Sequence, residues 1–210
     1  ANYLDTSYNS LYADYSISSN FSSLLCNDMN ILNLNHIKKT LKIFHKDPFD
    51  YCIIDNFFTS QSALKLCNSF PKYSSDIWHV YKSKIEDKKT CNNWNNFDNF
   101  TYEVFRQLNS QSFVELISKS IKTELFPDPG LHGGGWHIHA NNGNLNPHLD
   151  YSIHPKTNLQ RRINLIIYLE KNYKVKFGGH LGLWKHDKEK NQPSVLVKDC
   201  LLYTSPSPRD

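Results

Sequence analysis

The sequence predicts an α+β fold in which helices come first and a β-sandwich or barrel follows them. Two observations lead there. Up to about residue 125, apolar residues recur at helical spacing; after the turn-forming string Phe126-Pro127-Asp128-Pro129-Gly130 the chain breaks into short runs rich in β-branched and aromatic residues, punctuated by Gly, Asn and Pro. The chain has 210 residues and 39% hydrophobic content, enough for one domain with its own core.

Residues 1–46 read as a polar, Asn-rich N-terminal segment. Its apolar patch, ILNLNHIKKTLKIF, sets Ile31, Leu34 and Ile37 at three-residue steps and predicts a helix on the edge of the domain. Because the chain starts with Ala1, residues upstream of it are expected. A domain is assigned to 47–199. It opens with FDYCIIDNFF (49–58), where the aromatic and β-branched residues after Pro48 predict a strand. Thr59 or Ser60 then caps a helix over SQSALKLCNSF, which Pro71 helps to stop. A further helix runs through SQSFVELISKSIKTEL, with Phe113, Leu116, Ile117 and Ile121 on one stripe. Strands are predicted within GGGWHIHA, NLNPHLDYSI, RRINLIIYLE, GHLGLW and SVLVK, and the apolar run Ile163–Leu169 is expected to be buried on both faces. The final string 200–210, CLLYTSPSPRD, reads as the translation of a transposon-end sequencing adapter, so the natural chain is expected to be truncated near Asp199.

Composition excludes some functions. The net charge of +4 is modest and lysines alternate with acids, so no basic face points to nucleic acid. No apolar run approaches the roughly 20 residues of a membrane span, and the opening ANYLDTSYNSLYADYS lacks the architecture of a signal peptide. A soluble, cytoplasmic protein is expected. The five cysteines show no C-x-x-C spacing, which indicates neither a zinc knuckle nor a disulfide framework. Oligomeric state leaves no mark in the sequence.

The chemistry-bearing stretch is PHLDYSIH. In a strand, side chains two apart share a face, so His148 and Asp150 can converge on one ion while Leu149 points away. An imidazole and a carboxylate are two-thirds of the 2-His-1-carboxylate set of non-haem Fe(II) oxygenases. His154 shares the face, but six residues of strand at about 3.3 Å each carry it roughly 20 Å off unless the chain bends. His180 and His186 are assigned structural roles. His137 and His139 form a second same-face pair, and a type I′ turn at Asn142-Gly143 would set His137 opposite His148. A cupin-type metal site using His137, His139 and His148 is therefore an alternative, although no Glu follows the H-x-H pair at short spacing.

The string DPGLHGGGWHIHANNGNLNPHLDYSIHPKTNLQRRINLIIYLEKNY, followed by FGGHLGLW, resembles the 2-oxoglutarate/Fe(II) oxygenases of the prolyl 4-hydroxylase-like superfamily. The G-G-G, H-x-D, Y-L and G-G-x-L-x-L-W blocks occur in the family's order, and PFDYCIIDNFFTSQSALKLCNSFP resembles its usual domain opening. The resemblance implies a double-stranded β-helix, a jelly-roll or cupin-like sandwich with supporting N-terminal helices, here incomplete at the C-terminus. In that topology the strands flanking NNGN face each other across the sandwich, and in either arrangement His137 looks inward. The resemblance makes His148 and Asp150 iron ligands and Tyr168 the residue whose hydroxyl binds 2-oxoglutarate, with Asn164 a second candidate for that role. It also places a distal histidine and a 2-oxoglutarate-binding Arg or Lys beyond residue 199; Arg161 and Arg162 do not hold that motif position. The implied activity is hydroxylation of a C–H bond coupled to decarboxylation of 2-oxoglutarate, with Fe(II) as cofactor, ascorbate as reductant and a peptide or small molecule as substrate, peptidyl proline at family level. The 210 residues alone are expected to be inactive. A non-catalytic binding module of the same fold is the other alternative.

Overall fold

The computed structural model describes residues 30–170, 174–190 and 192–200. Most of the N-terminal polar segment and residues 201–210 of the adapter-like string lie outside them. The α-helices all lie before residue 122, with an antiparallel hairpin inserted among them, and the strands after that point are antiparallel too, so the architecture is α+β. In chain order the elements are α1 (Leu34–Thr40), α2 (Ser60–Ser69), β1 (His79–Lys82), β2 (Asp87–Cys91), α3 (Asn99–Leu108), α4 (Gln111–Ile121), β3 (Trp136–Ile138), β4 (Leu181–Asp187) and β5 (Gln192–Cys200).

Local signals position the helices. Thr59 caps α2 by accepting from Ser62 N, and Ser110 caps α4 by accepting from Phe113 N, each satisfying an amide that the helix leaves unpaired. Helix α3 and the β1–β2 hairpin went unread in the sequence. Asp98 starts α3, its Oδ1 accepting from Phe100 N at 2.8 Å and Thr101 N at 3.0 Å. Phe100, Thr101 and Val104 then form the buried face of that helix.

An aromatic cluster centred on Trp136 ties these helices to the sheet. Phe70 lies 4.8 Å and Phe105 5.6 Å from the Trp136 ring, and Phe97 stacks on Phe105 at 4.9 Å. Burying an aromatic side chain stabilises by about 1.5–3 kcal/mol, so the cluster fixes β3 firmly. Gly135 lets the chain enter it: φ is +86°, and a Cβ there would collide with the Cys91 carbonyl.

Three expectations need correction. Residues 49–58 do not form a strand: isolated bridges at Tyr51 and Phe58 flank a turn in which Asn56 adopts φ 51° and breaks the extended run. The run Ile163–Leu169 is not a buried strand; no ladder among the described residues pairs with it, and Ile166 is 47% exposed. Without neighbours on its edges and faces, apolar composition alone does not bury a strand. Nor does NNGN link a hairpin. β3 pairs with β2 (Lys89↔Ile138), and Leu145 bridges Glu86 farther along the same partner. The chain therefore advances seven residues, 138 to 145, against three, 89 to 86. The four extra residues form the turn Ala140–Gly143, closed by Gly143 N donating to Ala140 O at 2.9 Å. His137 consequently faces Thr90 across the ladder and not His148.

The expected strands in GHLGLW and SVLVK do form, as the antiparallel pair β4–β5. Among the described residues the three-stranded β1-β2-β3 sheet and this pair are separate and do not close into a jelly roll.

Candidate metal centre

A small irregular hairpin builds the site. Ile153 bridges Gln160, Arg161 N donates to Ser152 O at 2.8 Å, and His154 N donates to Leu159 O at 2.8 Å. His154 locks the turn: its buried ring accepts at Nδ1 from Lys156 N (3.2 Å) and Thr157 N (3.1 Å), while Nε2 lies 3.5 Å from Asp128 Oδ1. This is a structural histidine. The turn folds RRIN back along HLDY and brings Arg161 and Asn164 to Asp150. Together with Tyr151, Ser152, Gln160, Arg162 and Ile163, these three residues line a hollow of about 240 Å³.

Beside Asp150 stands His148, both partly exposed, with Nε2 3.5 Å from Oδ1. His148 Nδ1 is 2.7 Å from the Asn146 carbonyl. A carbonyl only accepts, so Nδ1 carries a proton, and the neutral form of this ring presents the Nε2 lone pair. Two electron-rich atoms thus face each other with room for a cation between them. Backbone anchoring of the far nitrogen is the usual way a metal-binding histidine is oriented. An ion bound about 2.0–2.2 Å from each donor spans donors about 3 Å apart, so the observed separation is within a small rotation of sharing one. The donor set fits Fe(II) as two protein ligands. Among the described residues no third His, Cys, Asp or Glu joins them, so the cupin-type set His137, His139 and His148 is not assembled.

The remaining candidates lie elsewhere. Asn164 Nδ2 is 3.4 Å from Asp150 Oδ2. Tyr168 is half-buried beyond the hollow. His137 stands on the face of β3 opposite Trp136, exposed as a residue and with Nε2 3.3 Å from Gly134 O; it does not look inward as expected. Desolvation, then the charge of Lys88, pushes its titration down, and His139 is lowered chiefly by desolvation as well. Both rings therefore favour the neutral form. His180 is half-buried just before β4, and His186 is exposed on it. Sequence reasoning missed Arg161, whose guanidinium pairs with Asp150 Oδ2 at 3.3 Å; its available signal was the turn chemistry of HPKTN, which returns RRIN to HLDY.

The hairpin and its two donors fall inside a segment with relatives. Residues 135–208 match the profile of the 2OG-Fe(II) oxygenase superfamily. The match covers about a third of the chain, including both candidate ligands and part of the adapter-like string. It supports an oxygenase, and with it Fe(II) and 2-oxoglutarate. No curated protein and no solved structure matches the chain significantly. No helix among the described residues is long and apolar enough to cross a membrane.

Proposed function

We propose that the chain is a 2-oxoglutarate-dependent hydroxylase of the prolyl 4-hydroxylase-like branch, with His148 and Asp150 as iron ligands. The observation that carries this reading is the opposed pair itself: the imidazole Nε2 of His148, its ring fixed by the Nδ1 bond to Asn146, held 3.5 Å from a carboxylate oxygen within the oxygenase match. Iron bound there supplies oxygen activation coupled to decarboxylation of 2-oxoglutarate. The chain's own residues orient it. His148 offers one lone pair in a fixed direction, and Asp150 offers one negative oxygen. Tyr168 contributes its hydroxyl to 2-oxoglutarate. The substrate is a peptide or small molecule with an accessible C–H bond, peptidyl proline first among them, and ascorbate keeps the iron reduced.

Succinate formation from 2-oxoglutarate, with Fe(II), ascorbate and poly-L-proline, tests the reading. Turnover abolished by His148→Ala and by Asp150→Ala, but kept in His154→Gln, is expected. Full turnover in Asp150→Ala sinks the ligand assignment. Metal and 2-oxoglutarate binding without succinate would instead favour a non-catalytic module.

A further inference from the structure

Asp150 has two carboxylate oxygens, and the structure treats them differently. Oδ1 faces His148 Nε2 at 3.5 Å, whereas Oδ2 faces the Arg161 guanidinium at 3.3 Å and the Asn164 amide at 3.4 Å. We infer that Arg161 and Asn164 are positioning residues that hold Oδ2, leaving Oδ1 alone to bind the metal beside His148. This inference rests on the ligand reading above.

Arg161 is built in on every side. Its backbone N donates to Ser152 O at 2.8 Å, and its guanidinium lies 4.7 Å over the Tyr151 ring, whose hydroxyl donates to His132 O at 2.9 Å. Its side chain is 20% exposed against 42% for Asp150, so it is more fixed than the carboxylate it holds. A planar guanidinium can stack on a ring and donate to a carboxylate at once, which an ammonium cannot. Arg162, one residue on, is exposed and donates to the Gln160 amide oxygen at 3.3 Å, which makes it an internal control of equal charge. Asn164 supports the same oxygen from the returning strand with a neutral donor. Partners that orient metal ligands are usually worth 10–100-fold in metal affinity.

The sign of the effect separates positioning from simple charge. By Coulomb attraction alone, removing an arginine beside a cation site tightens cation binding. If Arg161 positions Asp150, removing it weakens binding.

The experiment titrates Mn(II) against the full chain by electron paramagnetic resonance, with thermal melting of each metal-free protein alongside. Arg161→Met is expected to raise the Mn(II) dissociation constant about 10–100-fold. Arg162→Met is expected to leave it unchanged or slightly lower. Asn164→Ala is exposed enough to leave folding intact, and losing one neutral hydrogen bond should raise the constant roughly 2- to 12-fold. If Arg161→Met does not fold, Asn164→Ala decides. Co(II) absorption gives a second signature: its visible bands should shift in Arg161→Met and not in Arg162→Met. Unchanged or tighter Mn(II) binding in folded Arg161→Met or in Asn164→Ala, while His148→Ala abolishes binding, overturns the positioning role and leaves the ligand reading standing. If His148→Ala binds Mn(II) like wild type, both fall together.

Discussion

The platform around Trp136 and the hairpin around Asp150 are only a few residues apart in sequence, yet they are built by opposite rules. Trp136 is 5% exposed and touches aromatic rings from three separate stretches, Phe70, Phe97 and Phe105. Leu149, between the two candidate ligands, is 71% exposed, and the surrounding chain is held by isolated bridges, a histidine-locked turn and ion pairs. The first region is ordered by apolar burial, which needs no ligand. The second is ordered by polar contacts gathered around two electron-rich atoms 3.5 Å apart. Local stability follows buried apolar contact, so the site hairpin is the part of the domain whose order a bound cation can most improve.

Substitutions sharpen the contrast. The largest effect is expected from Trp136→Ala: emptying the centre of the cluster should cost about 3–5 kcal/mol in urea unfolding. A loss below 1 kcal/mol would mean the cluster does not anchor β3. Next comes Gly135→Ala, where a positive φ and a Cβ driven against the Cys91 carbonyl, 2.8 Å from Asn92 Cα, should cost roughly 1–3 kcal/mol. Asp98→Ala removes the α3 cap, about 1 kcal/mol. For Asp98, burial works upward, but hydrogen bonds from Thr101 and Phe100 outweigh it and hold the carboxyl below its ordinary 3.8. A depressed folded value means its stabilisation is complete above pH about 3.8 and disappears as pH falls through the lowered value. Acid unfolding of Asp98→Ala should accordingly lose part of its pH dependence in that low window, and an unaltered acid limb would contradict the cap. Leu149→Ala should move stability by no more than about 0.5 kcal/mol. A larger change would show that Leu149 packs against something and would blur the distinction between the two regions.

The same division explains what the sequence disclosed. The helix cap at Thr59 was legible because capping is settled within three residues. The closeness of His148 and Asp150 was legible too, although it comes from their nearness in sequence and not from strand alternation, since no strand runs through 148–150. The Ile163–Leu169 strand was misread because burial depends on neighbours that no local pattern reports. NNGN was misread for a related reason: the turn exists, but which strand lies beside its two arms is decided by β2, some fifty residues earlier. Arg161 was invisible as a partner of Asp150 until the turn at His154–Asn158 determined where the chain returns. Helix α3 is amphipathic over only ten residues, and its sequence signal is the Asp98 cap ahead of the buried Phe100, Thr101 and Val104.

Hydrogen–deuterium exchange with and without Mn(II) tests most directly whether His148 and Asp150 form a cation site on a preformed platform. Amides of Asn99–Leu108 should be protected and indifferent to the metal, while those of residues 145–164 should exchange quickly in its absence and slow when Mn(II) is added. That slowing should vanish in His148→Ala. The contradicting result is exchange in 145–164 that ignores Mn(II), or that slows equally in wild type and His148→Ala.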